Sequence, residues 1–245
     1  MKKSAKTIGR HFPYEHPTFG TDKRPKAESA WKKSVYYWWW EYLRRNQEYI
    51  ECCKSGGKGN LAELYKDFGD VTDAGFKNWW SANDRGALLF ADPIVEHTVR
   101  KLDAGEPAPE NENLITLAIP LNLPKRFLHK RIRDLLAENH SSKRGHQFAK
   151  KSRAKYKIQG QPNIPALEQG LMVYDAIKQA EAQGIKRAYW KIAMDLNLVA
   201  RDKRILEDDP PSTVTDKKNV LTAMVARYKK RVEESIKSTS LGLFP

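Results

Sequence analysis

Six of the seven tryptophans of this 245-residue chain lie between residues 31 and 80, and this concentration limits the possible fold more than any other feature. Large aromatic side chains stabilise a fold by burying their surface, so a segment this rich in them is expected to build a core. The alternative role, stacking on unpaired nucleic-acid bases, requires exposed rings. We interpret Trp38, Trp39, Trp79 and Trp80 as core residues because they fall at helical positions suited to a small core.

The same region is predicted to be helical. From residue 27 to residue 53, apolar residues recur at spacings of three and four, which is typical of one amphipathic helix. The loop from Ser55 to Asn60 ends this helix. Asn60 and Asp73 are then expected to cap two short helices over 61–68 and 74–80.

Two short strands are predicted next. Residues 86–92 form a short apolar run bounded by Gly and Pro, and residues 113–121 alternate Leu and Ile with smaller residues. A helical turn over 94–101 is expected between them. Pro124 favours the start of a helix over 125–139. Further helices are predicted over 167–183, 187–198 and 215–237, the last capped by Thr213 or Thr215.

The pattern as a whole predicts a mainly α, two-lobed helical protein with a small β ribbon in the amino-terminal lobe. The apolar tail Leu241–Pro245 is expected to fold back onto the body, because burial of Leu and Phe is favourable. The expected organisation is a flexible basic arm over 1–28, an aromatic-rich helical lobe with two short strands over 29–140, a basic linker over 141–165, and a helical lobe with a long carboxy-terminal helix over 166–245.

The charge of the chain indicates a polyanionic partner. There are 44 Lys and Arg against 30 Asp and Glu, a formal net charge of +14, which attracts nucleic acids or acidic membrane surfaces. No run of about 18 apolar residues is present, and no signal peptide is recognised, so no membrane partner is expected. Cys52 and Cys53 are adjacent, which is unfavourable for a disulfide and predicts a reduced, cytoplasmic location.

Most of the net positive charge is concentrated between residues 125 and 157. Twelve Lys and Arg stand there against Asp134 and Glu138, a local net charge of +10. Because phosphate neutralisation releases counterions, such a run predicts contact with nucleic acid, with DNA favoured and RNA possible. The alternative is a solvated loop without a partner. The predicted contacts are Lys125, Arg126, Lys130, Arg131, Lys143, Arg144, Lys150, Lys151, Arg153, Lys155 and Lys157.

The last predicted helix supplies a second candidate surface. Its polar face combines small side chains with Asn219, Arg227 and Lys230, a composition that suits approach to a major groove. The arrangement is helix-turn-helix-like, although the connection from Val199 to Val214 exceeds the usual three or four residues. We therefore expect phosphate contact here before base reading. The opposite, apolar face is expected to hold Val220, Leu221, Met224, Val225, Tyr228, Val232 and Ile236.

The sequence favours a non-catalytic protein without a metal or cofactor. The six histidines lack the spacing of zinc ligands, and the Gly-rich stretch 56–59 lacks the ending of a phosphate-binding loop. The leading prediction is duplex-DNA binding, as in a bacterial transcriptional regulator or a mobile-element protein. One alternative is a protein-interaction adaptor in a nucleoprotein, defence or mobile-element assembly. A second alternative is a Mg²⁺-dependent nuclease that would use carboxylates from the set Asp67, Asp70, Asp73, Asp84 and Asp92.

Overall fold

The computed structural model describes residues 11–73, 75–92, 99, 101–108, 115–139 and 152–245. The chain forms two compact units: unit 1 comprises Met1–Pro93 and Ser152–Pro245, and unit 2 comprises Ile94–Lys151. Unit 2 is thus an insertion in the sequence of unit 1. The mainly α fold with a small β ribbon is confirmed. Among the described residues, no helix is both long and apolar enough to cross a membrane.

Both halves of unit 1 are helical. The first half carries a ribbon of β1 (Gly20–Thr21) and antiparallel β2 (Arg24–Pro25), followed by α1 (Glu28–Trp31), α2 (Val35–Leu43), α3 (Gln47–Lys54), α4 (Ala62–Phe68), α5 (Phe76–Ser81) and α6 (Arg85–Phe90). The second half carries α8 (Ile164–Ala182), α9 (Tyr189–Asp195) and α10 (Pro211–Ser240). Unit 2 contains α7 (Lys125–Asn139).

The prediction of a single helix over 27–53 is wrong, because this stretch forms three separate helices, α1, α2 and α3. Ser34 and Asn46 have extended backbone, with ψ of 132° and 112°, and each precedes a new helix. The Asn46 side chain accepts a hydrogen bond from the Tyr49 amide at 3.0 Å and so caps α3. Eight of the nine residues of α2 are buried, so this helix lies inside the core instead of presenting one face to it.

The strand predicted over 86–92 is also wrong, because α6 occupies Arg85–Phe90. The chain enters this helix through Asn83 and Asp84, whose φ angles are 51° and 58°. Within it, Leu89 and Phe90 are buried. The second predicted strand covers 113–121, and its described residues 115–121 form no strand. The turn predicted over 94–101 lies mostly outside the described residues.

Three predicted helix caps are wrong as well. Neither Asn60 nor Asp73 precedes its helix directly, since α4 follows Leu61 and α5 follows Gly75, both without a side-chain cap. The last helix begins at Pro211, before the predicted threonines. Proline suits this first position because its missing N–H leaves no donor to satisfy.

The interpretation of the aromatic residues as core is confirmed. Trp38, Trp39 and Trp79 are buried, and Trp80 is half-buried. The Trp79 indole donates a hydrogen bond to the Phe68 carbonyl at 2.6 Å, and the rings of Trp39 and Trp79 both stack on that of Phe68. These rings therefore support the fold and are not available to nucleic-acid bases.

The carboxy-terminal tail folds back, as predicted, through Phe244, whereas Leu241 and Leu243 stay exposed. Phe244 is fully buried, with ring centroids 5.6 Å from Trp39 and 5.1 Å from Tyr42. Its carbonyl accepts a hydrogen bond from the Gln159 amide at 2.7 Å. The tail thus closes the aromatic core from the far end of the chain.

Helix α10 connects two cores within unit 1. Its second half contributes Val232 and Ile236 to the aromatic core around α2. Its first half contributes Leu221 and Val225 to a second core built with α8 and α9. The prediction that Val220 belongs to this apolar face is wrong, because Val220 is 64% exposed. The amino-terminal aromatic helices and the carboxy-terminal helices therefore pack as one body.

The two cysteines are free and buried. Burial raises the pKa of the Cys53 thiol to about 11, so this thiol stays protonated near neutral pH. Both thiols are structural groups packed inside unit 1, and neither is an exposed nucleophile.

Candidate nucleic-acid interface

The first part of the predicted basic run forms helix α7, with the bounds predicted from the sequence. None of its residues is buried. Its five cations make no ion pair with any residue that the structure describes, so their charge is not compensated locally. The exposed cations of α7 are Lys125, Arg126, Lys130, Arg131 and Arg133.

The middle of the run lies outside the described residues. It contains four of the predicted contacts: Lys143, Arg144, Lys150 and Lys151. Their contribution to binding stays a prediction.

The last part of the run is anchored on unit 1 from Ser152 onward. One carboxylate oxygen of Asp92 accepts three hydrogen bonds: from the Ser152 hydroxyl at 2.6 Å, the Arg153 amide at 2.8 Å and the Ala154 amide at 3.1 Å. The Tyr156 amide donates to the Leu89 carbonyl at 3.0 Å. This part of the expected linker is therefore held against α6 and the residues that follow it.

Burial alternates along this anchored segment. Ser152, Ala154 and Ile158 are buried, and the basic residues between them are exposed. The exposed set is Arg153, Lys155 and Lys157. The alternation directs the cations to solvent because successive side chains of an extended chain point to opposite sides.

Lys155 differs from its two neighbours because it has a carboxylate partner. Its ammonium lies 2.6 Å from Asp67, and the Tyr156 hydroxyl donates to the same carboxylate at 2.6 Å. Arg153 and Lys157 form no ion pair within the described part of the chain. They are the stronger candidates for contact with an external anion.

The exposed face of α10 holds the residues predicted for it. Asn219, Arg227 and Lys230 are exposed, with the small residues Ala223 and Ala226 between them. This follows from helix periodicity, since the opposite side of α10 is buried against α8, α9 and α2. A helix face with short side chains in its centre permits close approach of a large ligand.

Arg231 is a candidate that sequence reasoning missed. Together with Arg227, Met224 and Tyr228 it lines a recess of about 210 Å³ on α10. The Tyr228 hydroxyl donates to Gln169 at 2.7 Å, which fixes one wall of the recess. Neither arginine has an ion-pair partner among the described residues. The sequence signal for this pair is the spacing of four residues, about one helical turn, which places the two arginines next to each other on the helix surface.

Other cations of unit 1 are engaged in structural contacts. Arg45 binds Asp175 at 2.6 Å and Glu41 at 2.6 Å. Lys217 binds Asp209 at 2.8 Å. Arg227 and Arg231 therefore differ from these paired cations of unit 1.

Three of the five acidic residues considered for a metal site are held in other contacts. Asp92 binds the returning chain and Asp67 binds Lys155, as described above. Asp70 accepts hydrogen bonds from the Thr72 amide at 2.7 Å and hydroxyl at 2.6 Å. Burial acts to raise the pKa of Asp70, but the hydrogen bonds from Thr72 outweigh it and the pKa is lowered. Within the described ranges, no group of three or more His, Cys, Asp or Glu residues could hold a metal ion.

The helix-turn-helix-like expectation placed the turn between the last two helices. Residues 196–210 connect α9 to α10 and include a short 3₁₀ turn at Arg201–Lys203. The shorter connection joins α8 to α9 over residues 183–188, where Gly184 has a φ of 70°. Both connections exceed the usual three or four residues. The three helices form a packed cluster, with the exposed face of α10 on its outside.

Comparison with protein families, with curated proteins and with solved structures gives no match to this chain.

Proposed function

We propose that this protein binds duplex DNA without catalysis, through the phosphate backbone, and that it acts as a regulator of transcription. The observation that carries the proposal is the set of exposed cations that lack carboxylate partners among the described residues. Five of them lie on α7, and Arg227 and Arg231 lie on the outer face of α10, whereas Arg45 and Lys217 are paired and Lys230 lies 3.9 Å from Glu234. A DNA phosphate takes the place of the carboxylate partner that these cations lack. When the cations neutralise phosphates, counterions are released from the DNA, and this release favours binding.

Duplex DNA is favoured over single strands because the aromatic residues are not available for stacking. Trp39 and Trp79 are fully buried in the aromatic core. The half-buried Trp190 has the ammonium of Lys218 4.8 Å from its ring centroid and that of Lys191 at 5.5 Å. Binding of single-stranded DNA or RNA depends on stacked bases, and Phe127 on α7, 50% exposed, is the one exposed Phe, Tyr or Trp ring beside the described cations of α7 and α10.

The face of α10 suits a groove-side contact. A major groove is wide enough to admit an α-helix. The short side chains of Ala223 and Ala226 in the centre of this face allow the helix backbone to come close to the DNA. Arg227 and Arg231 then reach the phosphates that border the groove, and Asn219 lies two turns before Arg227 on the same face. Contacts of this kind position a protein on DNA before any base is read.

The choice of nucleic acid is tested with the full chain and three probes of equal length: duplex DNA, single-stranded DNA and single-stranded RNA. We expect the duplex to bind about tenfold more tightly than either single strand at moderate salt, because phosphate density is highest on the duplex. Fluorescence anisotropy with labelled probes measures the three dissociation constants. Equal or tighter binding of the single strands would contradict the duplex assignment.

A further inference from the structure

A recess of about 650 Å³ lies in unit 1, beside the turn that connects α8 to α9. Its floor is apolar, because the buried residues Ile177, Ala180 and Ile192 line it. Ile177 and Ile192 also belong to the second core, so the floor is held in place by the packing of α8 and α9. Pockets that hold small molecules are concave, mostly apolar and about 300–1,000 Å³ in volume. The recess therefore has the size and the lining of such a pocket.

The turn after α8 leaves an apolar wall of the recess uncovered. The Gly184 amide donates to the Glu181 carbonyl at 3.1 Å, and Gly184 has a φ of 70°. The Ile185 amide donates to the Ala180 carbonyl at 3.0 Å. In a helix end of this type, the apolar residue at the position of Ile185 commonly packs on the residue at the position of Ala180. The single methyl group of Ala180 covers little of it, and Ile185 stays 55% exposed in the lining of the recess.

Two of the charged residues in the lining already have partners within the protein. The Glu181 carboxylate lies 2.8 Å from the ammonium of Lys178 and 4.0 Å from that of Lys229. The Arg187 guanidinium pairs with Asp195. Because both groups are compensated internally, neither is the group that selects the charge of a ligand.

Lys186 is the remaining charged residue in the lining. It is exposed, and it forms no ion pair with any part of the chain that the structure describes. Its ammonium is therefore available to an external anion, whereas a cationic ligand would be repelled by it. An apolar floor beside one uncompensated cation is complementary to a molecule that combines an apolar body with one negative charge.

We propose that this recess binds a small molecule with an apolar body and one acidic group. The apolar body lies on Ile177, Ala180 and Ile192, and the acidic group pairs with the Lys186 ammonium. The bound molecule also covers Ile185, and removal of this apolar surface from water favours binding. None of the residues that line the recess belongs to α7 or α10, so the proposal does not rest on DNA binding and is tested without DNA.

A dye titration of the full chain tests the proposal. Anilinonaphthalenesulfonate is an aromatic anion whose fluorescence increases in an apolar site, and we expect a dissociation constant on the order of tens of micromolar. Ala188→Trp places a large ring in the recess, and Lys186→Glu reverses its free charge. Both positions are exposed, so far-UV circular dichroism is expected to stay unchanged. We expect binding to weaken at least about tenfold for the first variant and about fivefold for the second.

Two matched controls locate the bound dye. Ala200 resembles Ala188, since both are exposed, have extended backbone and precede a helical turn without a side-chain cap, but Ala200 does not line the recess. Lys77 is exposed on α5 and also lies outside the lining. Ala200→Trp and Lys77→Glu are each expected to bind the dye within about twofold of the unmodified protein.

Displacement of the dye tests the charge of the ligand. Phenylbutyrate, phenylbutanol and phenylbutylamine share one apolar body and differ in charge. The carboxylate is expected to displace the dye at a concentration about fivefold lower than the amine, and Lys186→Glu is expected to reverse this order. Absence of saturable dye binding, unchanged binding by Ala188→Trp, or stronger displacement by the amine than by the carboxylate in the unmodified protein would overturn the proposal.

Discussion

The double reversal Arg227→Glu/Arg231→Glu is expected to weaken duplex-DNA binding by at least about 30-fold at moderate salt. Both side chains are exposed, line one recess and have no described carboxylate partner, so a phosphate seated there would lose two cations and meet two anions. The fold is expected to tolerate the change because neither guanidinium makes a hydrogen bond or an ion pair to another described residue. Fluorescence anisotropy with a duplex probe measures the loss.

The matched control reverses Lys33 and Lys77, which are exposed on the amino-terminal part of unit 1 and form no ion pair with a described residue. This variant changes the net charge by the same amount. It is expected to bind within about threefold of the unmodified protein, because only charges near the phosphates contribute strongly at moderate salt. A loss as large as that of the α10 variant would show that binding follows net charge alone and that α10 is not the interface.

Gly170→Leu is expected to lower the free energy of unfolding by about 3 kcal/mol or more. Gly170 lies in α8, where an added Cβ would be 2.8 Å from Cγ2 of Val232 and 3.3 Å from the Tyr42 hydroxyl. Val232 and Tyr42 are themselves buried, on α10 and α2, so they cannot move aside without opening the core. Urea denaturation followed by tryptophan fluorescence measures the change.

Gly75→Leu provides the comparison for this substitution. A Cβ at Gly75 would meet no atom within 4 Å, and the residue is exposed, so we expect a change below about 1 kcal/mol. Because Gly170 lies where α2, α8 and α10 meet, its variant also tests whether the two halves of unit 1 unfold together. Equal effects of the two substitutions would contradict the packing of α8 against α2 and α10.

Local sequence patterns predicted the parts of the fold that depend on local physics. The bounds of α7 followed from its periodicity and from Pro124, and the burial of Trp39 followed from the preference of large aromatics for a core. The strand predicted over 86–92 is wrong because a short apolar segment fits a buried strand and a buried helix equally well. The break at Asn46 depends on distant packing, since the Asn46 side-chain amide donates to the Ile236 carbonyl at 2.8 Å.

The candidate interface was predictable to a similar extent. Helix periodicity alone predicts the exposed face that holds Asn219, Arg227 and Lys230. The partner of Lys155 was not predictable, because Asp67 lies 88 residues away in sequence. The four-residue spacing of Arg227 and Arg231 is a sequence signal, but the recess that both line beside Tyr228 depends on the packing of α10.

The salt dependence of duplex binding tests the central claim most directly. Each phosphate contact contributes about −0.9 to the slope of log K against log salt concentration, so cations on both α7 and α10 predict a slope of about −4 or steeper. The Arg227→Glu/Arg231→Glu variant is expected to reduce the magnitude of this slope by about 2, while the Lys33→Glu/Lys77→Glu control leaves it nearly unchanged. A slope near zero, or the same slope for all three proteins, would contradict phosphate binding at these surfaces.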